Sequence, residues 1–448
     1  MTDAAVDETS NAPAVRPVSK AYQRYALGLL LAIYTLNFLD RQVVNILAEK
    51  IKLDLHLSDT QLGMMTGFAF AIFYTGFALP IARLADRANR PWIIAAAVAV
   101  WSVFTLLCGF AGNFVQLFLA RVGVGIGEAG CSPPSHSLIS DYVPAAKRSS
   151  AIAFYSLGTP LGSLLGAAMG GVVADAYGWR VAFMVAGAPG IVVALLAAFT
   201  LVEPRGKAKA VHPSAKPDQP SLMEALREIA GKRTFWLIAL GGAVMAFCGY
   251  AQVAFAPSFF FRNHAAELIE LARPLGLKPT GFVGLVLGVI GGIAGLFGTF
   301  IGGQLADRLG AKDRRWHVTM PAIAAAVGVP FFMAAMFAPT TMVAVLFFMG
   351  PNLTNTMWYG PIYGTTQSLV RPRTRAIAAA VILFIINIIG LGGGPVAMGA
   401  LSDLLAKGYH LGAAEGLRWA MVASEVVILL ASVFFLMARK TIREDVVS

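Results

Sequence analysis

The chain has 448 residues, of which 57% are hydrophobic and only 13% charged, with a formal net charge of +11. Soluble domains are about 25% charged, so a soluble enzyme or a nucleic-acid-binding domain is excluded as the main architecture. The positive excess then needs an explanation from its positions, given below.

The first 22 residues are polar and lack the apolar core and small-residue cleavage site of a signal peptide, so the first apolar run is expected to stay as a span. Twelve apolar runs follow, at 23–48, 59–83, 91–111, 114–140, 149–174, 179–202, 233–262, 280–305, 316–337, 340–369, 376–404 and 415–438. Each reaches roughly 20 residues or more, the length a helix needs to cross a bilayer core of about 30 Å. Between runs six and seven, residues 203–232 form a linker. It is Lys/Pro-rich at first (Pro204, Lys207, Lys209, Pro213, Lys216, Pro217, Pro220), which predicts an extended segment. Ser221 to Ile229 then reads as a short amphipathic helix, with Ser221 as N-cap and Glu224 three residues on. The outer segment 262–280 is longer than its neighbours, and Ala265 to Leu275 reads as a short helix over the outer mouth, a gate or an inert cap. Cys108, Cys131 and Cys248 all lie inside runs, which argues against disulfides and against a metal site.

With the N-terminus inside, the cytoplasmic segments hold 25 Lys/Arg and the outer segments eight, leaving Arg41 and Arg121 within runs. That bias is the positive-inside rule, and it accounts for the charge without nucleic acid. The expected location is a multi-pass integral protein of a bacterial inner membrane, with both termini cytoplasmic.

The halves are related. Leu84-Ala85-Asp86-Arg87 is spelled again as Leu305-Ala306-Asp307-Arg308, 221 residues later, each at the polar end of an apolar run. Arg148, Gly158-x-Pro160-x-Gly162, Gly170, Gly171 and Asp175 are echoed by Arg375, Gly392-Gly393-Gly394-Pro395, Gly399 and Asp403. Residues 1–202 therefore read as one six-helix bundle and 233–448 as its pseudo-symmetric partner, with 203–232 as the hinge. Duplicated halves are how alternating-access carriers are built, with the substrate site between them.

Gly303-x-x-x-Asp307-Arg308-x-Gly310 resembles the signature loop between helices 2 and 3 of the major facilitator superfamily, in its second-half copy. The first copy departs from it at Ala82 and Asn89. Arg121-Val122-Gly123-Val124-Gly125 is similar to a second signature in helix 4, and Gly158-Thr159-Pro160-Leu161-Gly162 is a looser version of the pattern in helix 5. The N-half resembles the narrower Spinster-type transporters, through Leu36-Asn37-Phe38-Leu39-Asp40-Arg41, Gly125-Ile126-Gly127-Glu128-Ala129, the Ser132-Pro133-Pro134 break, Ser137-Leu138-Ile139-Ser140-Asp141 and Gly178-Trp179-Arg180-x-Ala182-Phe183. The C-half carries only the general superfamily signals. The resemblance implies the twelve-helix major facilitator fold and lysophospholipid or sphingosine-type substrates, with proton-linked transport in bacterial members.

An ionisable group within a span costs at least about 2.5–3.5 kcal/mol on insertion scales. Asp40 and Arg41 in helix 1, Arg121 and Glu128 in helix 4, and Glu425 in helix 12 therefore need reasons. At 1.5 Å per residue, Asp40 and Arg41 lie roughly 13 Å from the outer end and Arg121 roughly 12 Å, so Asp40 and Arg121 can sit level and pair. Glu128 lies about 10 Å further inward on the same face as Arg121. Asp40 and Glu128 are the candidate proton carriers, because burial and a nearby arginine pull a carboxyl in opposite directions. Arg41, then Arg121, are the candidates for an anionic headgroup, which a guanidinium matches with two bonds. The alternative is a static network fixing helix 1 against helix 4. Glu425 lies in a peripheral helix and reads as structural.

Asp86, Arg87, Arg148, Asp307, Arg308 and Arg375 read as a cytoplasmic gate or as topological anchors. Tyr34 and Asn37 share a face of helix 1 with Arg41 and are candidate substrate contacts. So are Asn355, Trp358 and Tyr359 in helix 10; Gln252, Asn352 and Asn387 are further polar residues in C-half spans, each open to a packing reading. His136 can assist proton movement or be a satisfied structural histidine. Gly125-x-Gly127-x-x-Gly130 lacks the strand that a dinucleotide site requires, and no Walker loop is present.

The sequence thus predicts an all-α, monomeric membrane carrier with no catalytic site, no metal and no cofactor beyond a proton gradient. The expected substrate is an anionic, lipid-like amphiphile; the alternatives are a small organic anion or drug, or a scramblase or receptor.

Overall fold

The computed structural model describes residues 18–205 and 221–447, and among them every regular element is helical. The N-half spans are 1 (Lys20–Leu55), 2 (Asp59–Gly63, a π-turn at Met64–Phe68, then Ala69–Arg87), 3 (Arg90–Cys108), 4 (Phe114–Glu128 and Ser132–Tyr142), 5 (Arg148–Ser156 and Gly158–Tyr177) and 6 (Trp179–Thr200). The C-half spans are 7 (Arg233–Asn263), 8 (Pro279–Gly310), 9 (Trp316–Met336), 10 (Thr341–Thr354 and Tyr359–Ser368), 11 (Arg375–Ile386, π-turns at Asn387–Gly393, then Gly394–Asp403) and 12 (Gly412–Asp445). A helix at Ala265–Ala272, extended by a 3-10 turn at Arg273–Leu275, lies between spans 7 and 8.

Eleven of these are long and apolar enough to cross a membrane as continuous helices. The difference from the twelve predicted runs is span 10, which is discontinuous over Asn355–Trp358. Pro361 is the reason: it has no N–H for the carbonyl four residues back, Met357, and its ring crowds that carbonyl. Neither piece is long enough to cross alone. The same device recurs. Pro133 and Pro134 break span 4 at Ala129–Cys131, Pro160 breaks span 5 at Leu157, and Pro395 follows the π-turns of span 11. Spans 4 and 10, and 5 and 11, are equivalent positions in the two halves, so the breaks obey the pseudo-symmetry.

The twelve crossings return the chain to the face it started from, here called the terminal face; the opposite one is the distal face. The halves meet along spans 5 and 8 and along spans 2 and 11. At Gly284 a Cβ would lie 2.1 Å from the Ala167 carbonyl oxygen, and at Gly399 it would lie 2.1 Å from that of Asp59. Only glycine permits backbones this close. Both contacts are in the distal part. Toward the terminal face the seam fades: Gly292 faces only the Pro160 carbonyl at 3.6 Å, and Gly291 and Gly303 face nothing within 4 Å. The molecule is closed on the distal face and parted on the terminal one.

A helix at Leu222–Ala230 starts with a capping box, in which Glu224 N donates to Ser221 Oγ and Ser221 N to Glu224 Oε2. Glu228 accepts from Arg371 N at 2.8 Å and Thr374 Oγ1 at 2.7 Å, which docks this helix on the C-half. The Lys/Pro-rich stretch at 206–220 lies outside the described residues.

Candidate functional site: paired charges facing a neutral wall

Asp40 and Arg41 are neighbours on span 1, so their side chains leave the helix about 100° apart. The four predicted charges consequently form two pairs. Arg121 Nη1 donates to Asp40 Oδ2 at 3.1 Å, and Thr105 Oγ1 to Asp40 Oδ1 at 2.8 Å. Arg41 Nε donates to Glu128 Oε2 at 2.7 Å. Both pairs join span 1 to span 4. Breaking a buried pair of this kind costs about 3–5 kcal/mol.

The two pairs differ in access. The side chains of Asp40, Arg121 and Glu128 are at most 3% exposed, whereas that of Arg41 is 20% exposed. The Arg41 guanidinium lies among Phe38, Phe70 and Tyr74, with ring centroids 4.9, 4.5 and 4.9 Å from its carbon, and Arg121 lies 5.8 Å from Phe70. Such cation–π contacts hold the group in place for about 2 kcal/mol when desolvated. Only Nε of Arg41 has a protein hydrogen-bond partner among the described residues, so its two terminal amino groups are available.

The neutral cavity belongs to the C-half. A cavity of about 130 Å³ is lined by Tyr250, Gln252, Asn352, Asn355, Trp358 and Tyr359 among others, with no Lys or Arg. The break in span 10 presents Asn355, Trp358 and Tyr359 there, and Trp358 stacks on Tyr359 at 4.3 Å. An adjoining cleft of about 200 Å³ shares Asn352 and Thr356 and brings in Gln42, Asn45 and Ser163 from the N-half, again without a cation. Tyr250 packs against the buried cores of both halves, and Arg41 is the charged group that acts on its hydroxyl.

Sequence reasoning missed Tyr250, Phe70, Tyr74, Gln42 and Asn45. Gln42 and Asn45, three apart and just after Asp40-Arg41 in the first apolar run, were the available signal; the aromatics look like ordinary core. Four predicted contacts sit elsewhere; Arg41 and Arg121 are held in the two pairs and line neither cavity. Tyr34 stacks on Tyr155 of span 5 at 4.3 Å, and Asn37 is buried; neither lines the two cavities. His136 is exposed, with its ring edge-on to Tyr155.

The predicted gate is not engaged in this conformation. Arg87, Arg148, Asp307, Arg308 and Arg375 are exposed. The hydrogen bonds of Arg148 to Val143 O and of Arg375 to Gln367 O are local. The Asp86 side chain lies outside the described residues. Arg90, which the sequence reading passes over, is buried and binds Asp141 and Ser137 within the N-half and Glu203 at the start of the linker. Burial pushes the Glu203 carboxyl up, but these bonds outweigh it and hold it below the ordinary glutamate range.

The engaged clasp is on the distal face. Arg262 of span 7 donates to both oxygens of Glu49 at 2.9 and 2.7 Å and to both of Asp59 at 2.8 and 2.7 Å. Asp59 also accepts from Lys52 at 2.5 Å and Ser402 at 2.7 Å. Asp403 accepts from Thr60 N at 2.8 Å and Thr60 Oγ1 at 2.7 Å, and Asp175 from Gly281 N at 2.7 Å and Lys50 at 2.8 Å.

The sequence profile described as Major Facilitator Superfamily matches residues 30–395. An MFS-type efflux pump of Mycolicibacterium smegmatis is 32% identical over 429 residues, covering 94% of each chain. Protein spinster homolog 3 of Danio rerio is 28% identical over 451 residues, covering 98% of this chain and 89% of its own. Among solved structures, a bacterial homolog to the human lysosomal transporter Spinster, inward-facing and unoccupied, matches with a TM-score of 0.83 at 32% identity, over 96% of this chain and 100% of that one. The nucleoside transporter NupG shares the fold, with a TM-score of 0.70 at 14% identity. This chain is a multi-pass membrane transporter of the Major Facilitator Superfamily and belongs to its Spinster-type members.

Proposed function

We propose that the protein is a proton-coupled secondary carrier of an anionic, lipid-like amphiphile, of the lysophospholipid or sphingosine-phosphate type, working by alternating access. The observation that carries this reading is Arg41. Its terminal amino groups have no hydrogen-bond partner among the described residues, and Tyr250, which its charge reaches, lines a C-half cavity that is aromatic and amide, without a cation. One anionic head and one apolar body fit that division; a small dianion would be left without half its partners. The excess of Lys/Arg on the terminal face supports placing that face in the cytoplasm of a bacterial inner membrane. The carrier acts as a monomer with no cofactor and no enzymatic activity.

Coupling follows from competition. An anion that takes Arg41 competes with Glu128 for the same cation, so substrate binding and protonation of Glu128 are linked. Asp40 is the second carboxyl in this scheme, held by Arg121 and Thr105. Asp86, Arg87, Arg148, Asp307, Arg308 and Arg375 would close the terminal face in the opposite state.

Purified protein in liposomes with labelled lysophosphatidylglycerol tests this, with and without a pH gradient, beside Asp40→Asn and Glu128→Gln. Gradient-driven movement that both substitutions abolish is the expected result. A carrier of small organic anions or drugs is the second reading, favoured by the likeness to the mycobacterial efflux pump; it takes over if no lipid moves and a small anion does. Lipid movement indifferent to the gradient and to both substitutions points to a scramblase and removes the coupling mechanism.

A further inference from the structure

One carboxyl within the membrane is unused so far. Glu425 of span 12 is 0% exposed, and the sequence reading treats it as structural. The structure places it at the end of a polar chain leading to the C-half cavity. Gln252 Nε2 donates to Glu425 Oε2 at 2.6 Å, and Asn355 Nδ2 donates to Gln252 Oε1 at 3.3 Å. Gln252 and Asn355 both line the cavity. At the two ends of this chain, Glu425 Oε1 and Asn355 Oδ1 are buried without hydrogen-bond partners.

Among the described residues no cation compensates Glu425. Span 7 presents Gln252 and Cys248, whose thiol bonds to the Ser424 carbonyl; span 9 presents Gly328; span 10 presents Thr354 beside it. Among the described residues Cys248 is the one other ionisable group facing it, and Arg418 on its own helix is taken by Glu415. The balance between the charged and neutral forms of Glu425 therefore turns on a single amide donor.

An amide donates at one end and accepts at the other, so a row of amides transmits polarity. With Glu425 accepting, Gln252 must offer its NH2 to it and its carbonyl to Asn355. Asn355 then has its own carbonyl as the unpaired end of the row. If protonated Glu425 donates to the Gln252 carbonyl, both amides turn over and Asn355 presents NH2 instead. We propose that Glu425 is a further protonation site, separate from Asp40 and Glu128, and that through Gln252 its proton decides whether Asn355 offers the cavity an acceptor or a donor. The acceptor form suits a hydroxyl or ammonium group; the donor form suits a phosphate or carboxylate oxygen. The use of this switch rests on the transport reading above, but its existence does not.

Infrared difference spectra of the purified protein between high and low pH test the switch without any substrate. Three forms are compared: wild type, Glu425→Gln and Gln252→Leu. The expected result is a protonated-carboxyl band that titrates in wild type, is lost in Glu425→Gln, and shifts its midpoint in Gln252→Leu. A side-chain amide band should change with it in wild type and not in Gln252→Leu. Identical spectra for wild type and Glu425→Gln overturn the proposal, as does a carboxyl band that Gln252→Leu leaves unmoved. If Glu425→Gln fails to fold, Asn355→Leu replaces it: amide changes that persist unaltered in both Gln252→Leu and Asn355→Leu overturn the relay. A titrating band in a protein that moves no lysophosphatidylglycerol leaves the switch standing and removes only the transport reading.

Discussion

Asp403 does for span 2 what Asp175 does for span 8. Each sits at the distal end of one half and accepts a backbone N–H in the first turn of a span from the other: Thr60 N at 2.8 Å, Gly281 N at 2.7 Å. The pair marks the internal repeat in the sequence, and the duplication has been put to use as a two-point latch across the molecule.

Removing either point should loosen the distal face. Asp403→Ala and Asp175→Ala each delete a helix cap worth about 1 kcal/mol, roughly a fivefold change in the balance of states. Spin labels at His56→Cys and His410→Cys, on distal loops of opposite halves, should show a longer-distance population in either variant and more of it in the double variant. The native cysteines are buried and should not compete for label.

Arg262→Ala should act more strongly than either aspartate. It strips Glu49 of its bidentate partner and leaves Asp59 with Lys52 as its one cation. Losing one partner of a buried pair costs about 3–5 kcal/mol, enough to make the distal-open form dominant in the same distance measurement. Arg262→Lys should recover part of the effect, because an ammonium cannot serve both carboxylates in bidentate fashion.

The seam glycines give a paired prediction. Gly284→Ala puts a Cβ 2.1 Å from the Ala167 carbonyl oxygen, so distal closure is blocked and transport should fall to background. Gly291→Ala, less than two turns away, meets nothing within 4 Å and should change transport less than twofold. Flux assays on both variants, at matched expression, check this.

The buried Arg90 clamp predicts a pH dependence. A carboxyl held below its ordinary value in the folded state contributes stability at pH above that value and loses it as pH falls through the folded one. The melting temperature should therefore decline on acidification below about 4.5, the ordinary glutamate value. Glu203→Gln should start lower at neutral pH and show a shallower decline.

Some of this was legible in the residues. Asp40, Arg41, Arg121 and Glu128 stand out because charge in an apolar run is costly wherever it falls, and depth along the helix was enough to match Asp40 with Arg121. The Arg41–Glu128 pair was not, because it depends on how spans 1 and 4 are rotated against each other. The clasp escaped notice for a different reason: Glu49, Asp59 and Arg262 sit near span ends, where charge is ordinary and hydropathy cannot separate a latch from an anchor. The break in span 10 was visible as Pro361, yet a proline within an apolar run also fits a kinked helix. As for Arg87, Arg148, Asp307, Arg308 and Arg375, one sequence serves more than one conformation, and the residues idle in this one are no less conspicuous on paper.

The division of charge between the halves decides what the membrane potential can act on. Moving one elementary charge through 100 mV is worth about 2.3 kcal/mol. Arg121 with Asp40 and Arg41 with Glu128 cancel as pairs, and neither C-half cavity wall carries a cation. An empty carrier with both pairs intact and Glu425 protonated therefore carries no net intramembrane charge on these groups, and its return step should run at nearly the same rate at any voltage. Electrical sensitivity enters only when cargo and protons arrive in unequal charge.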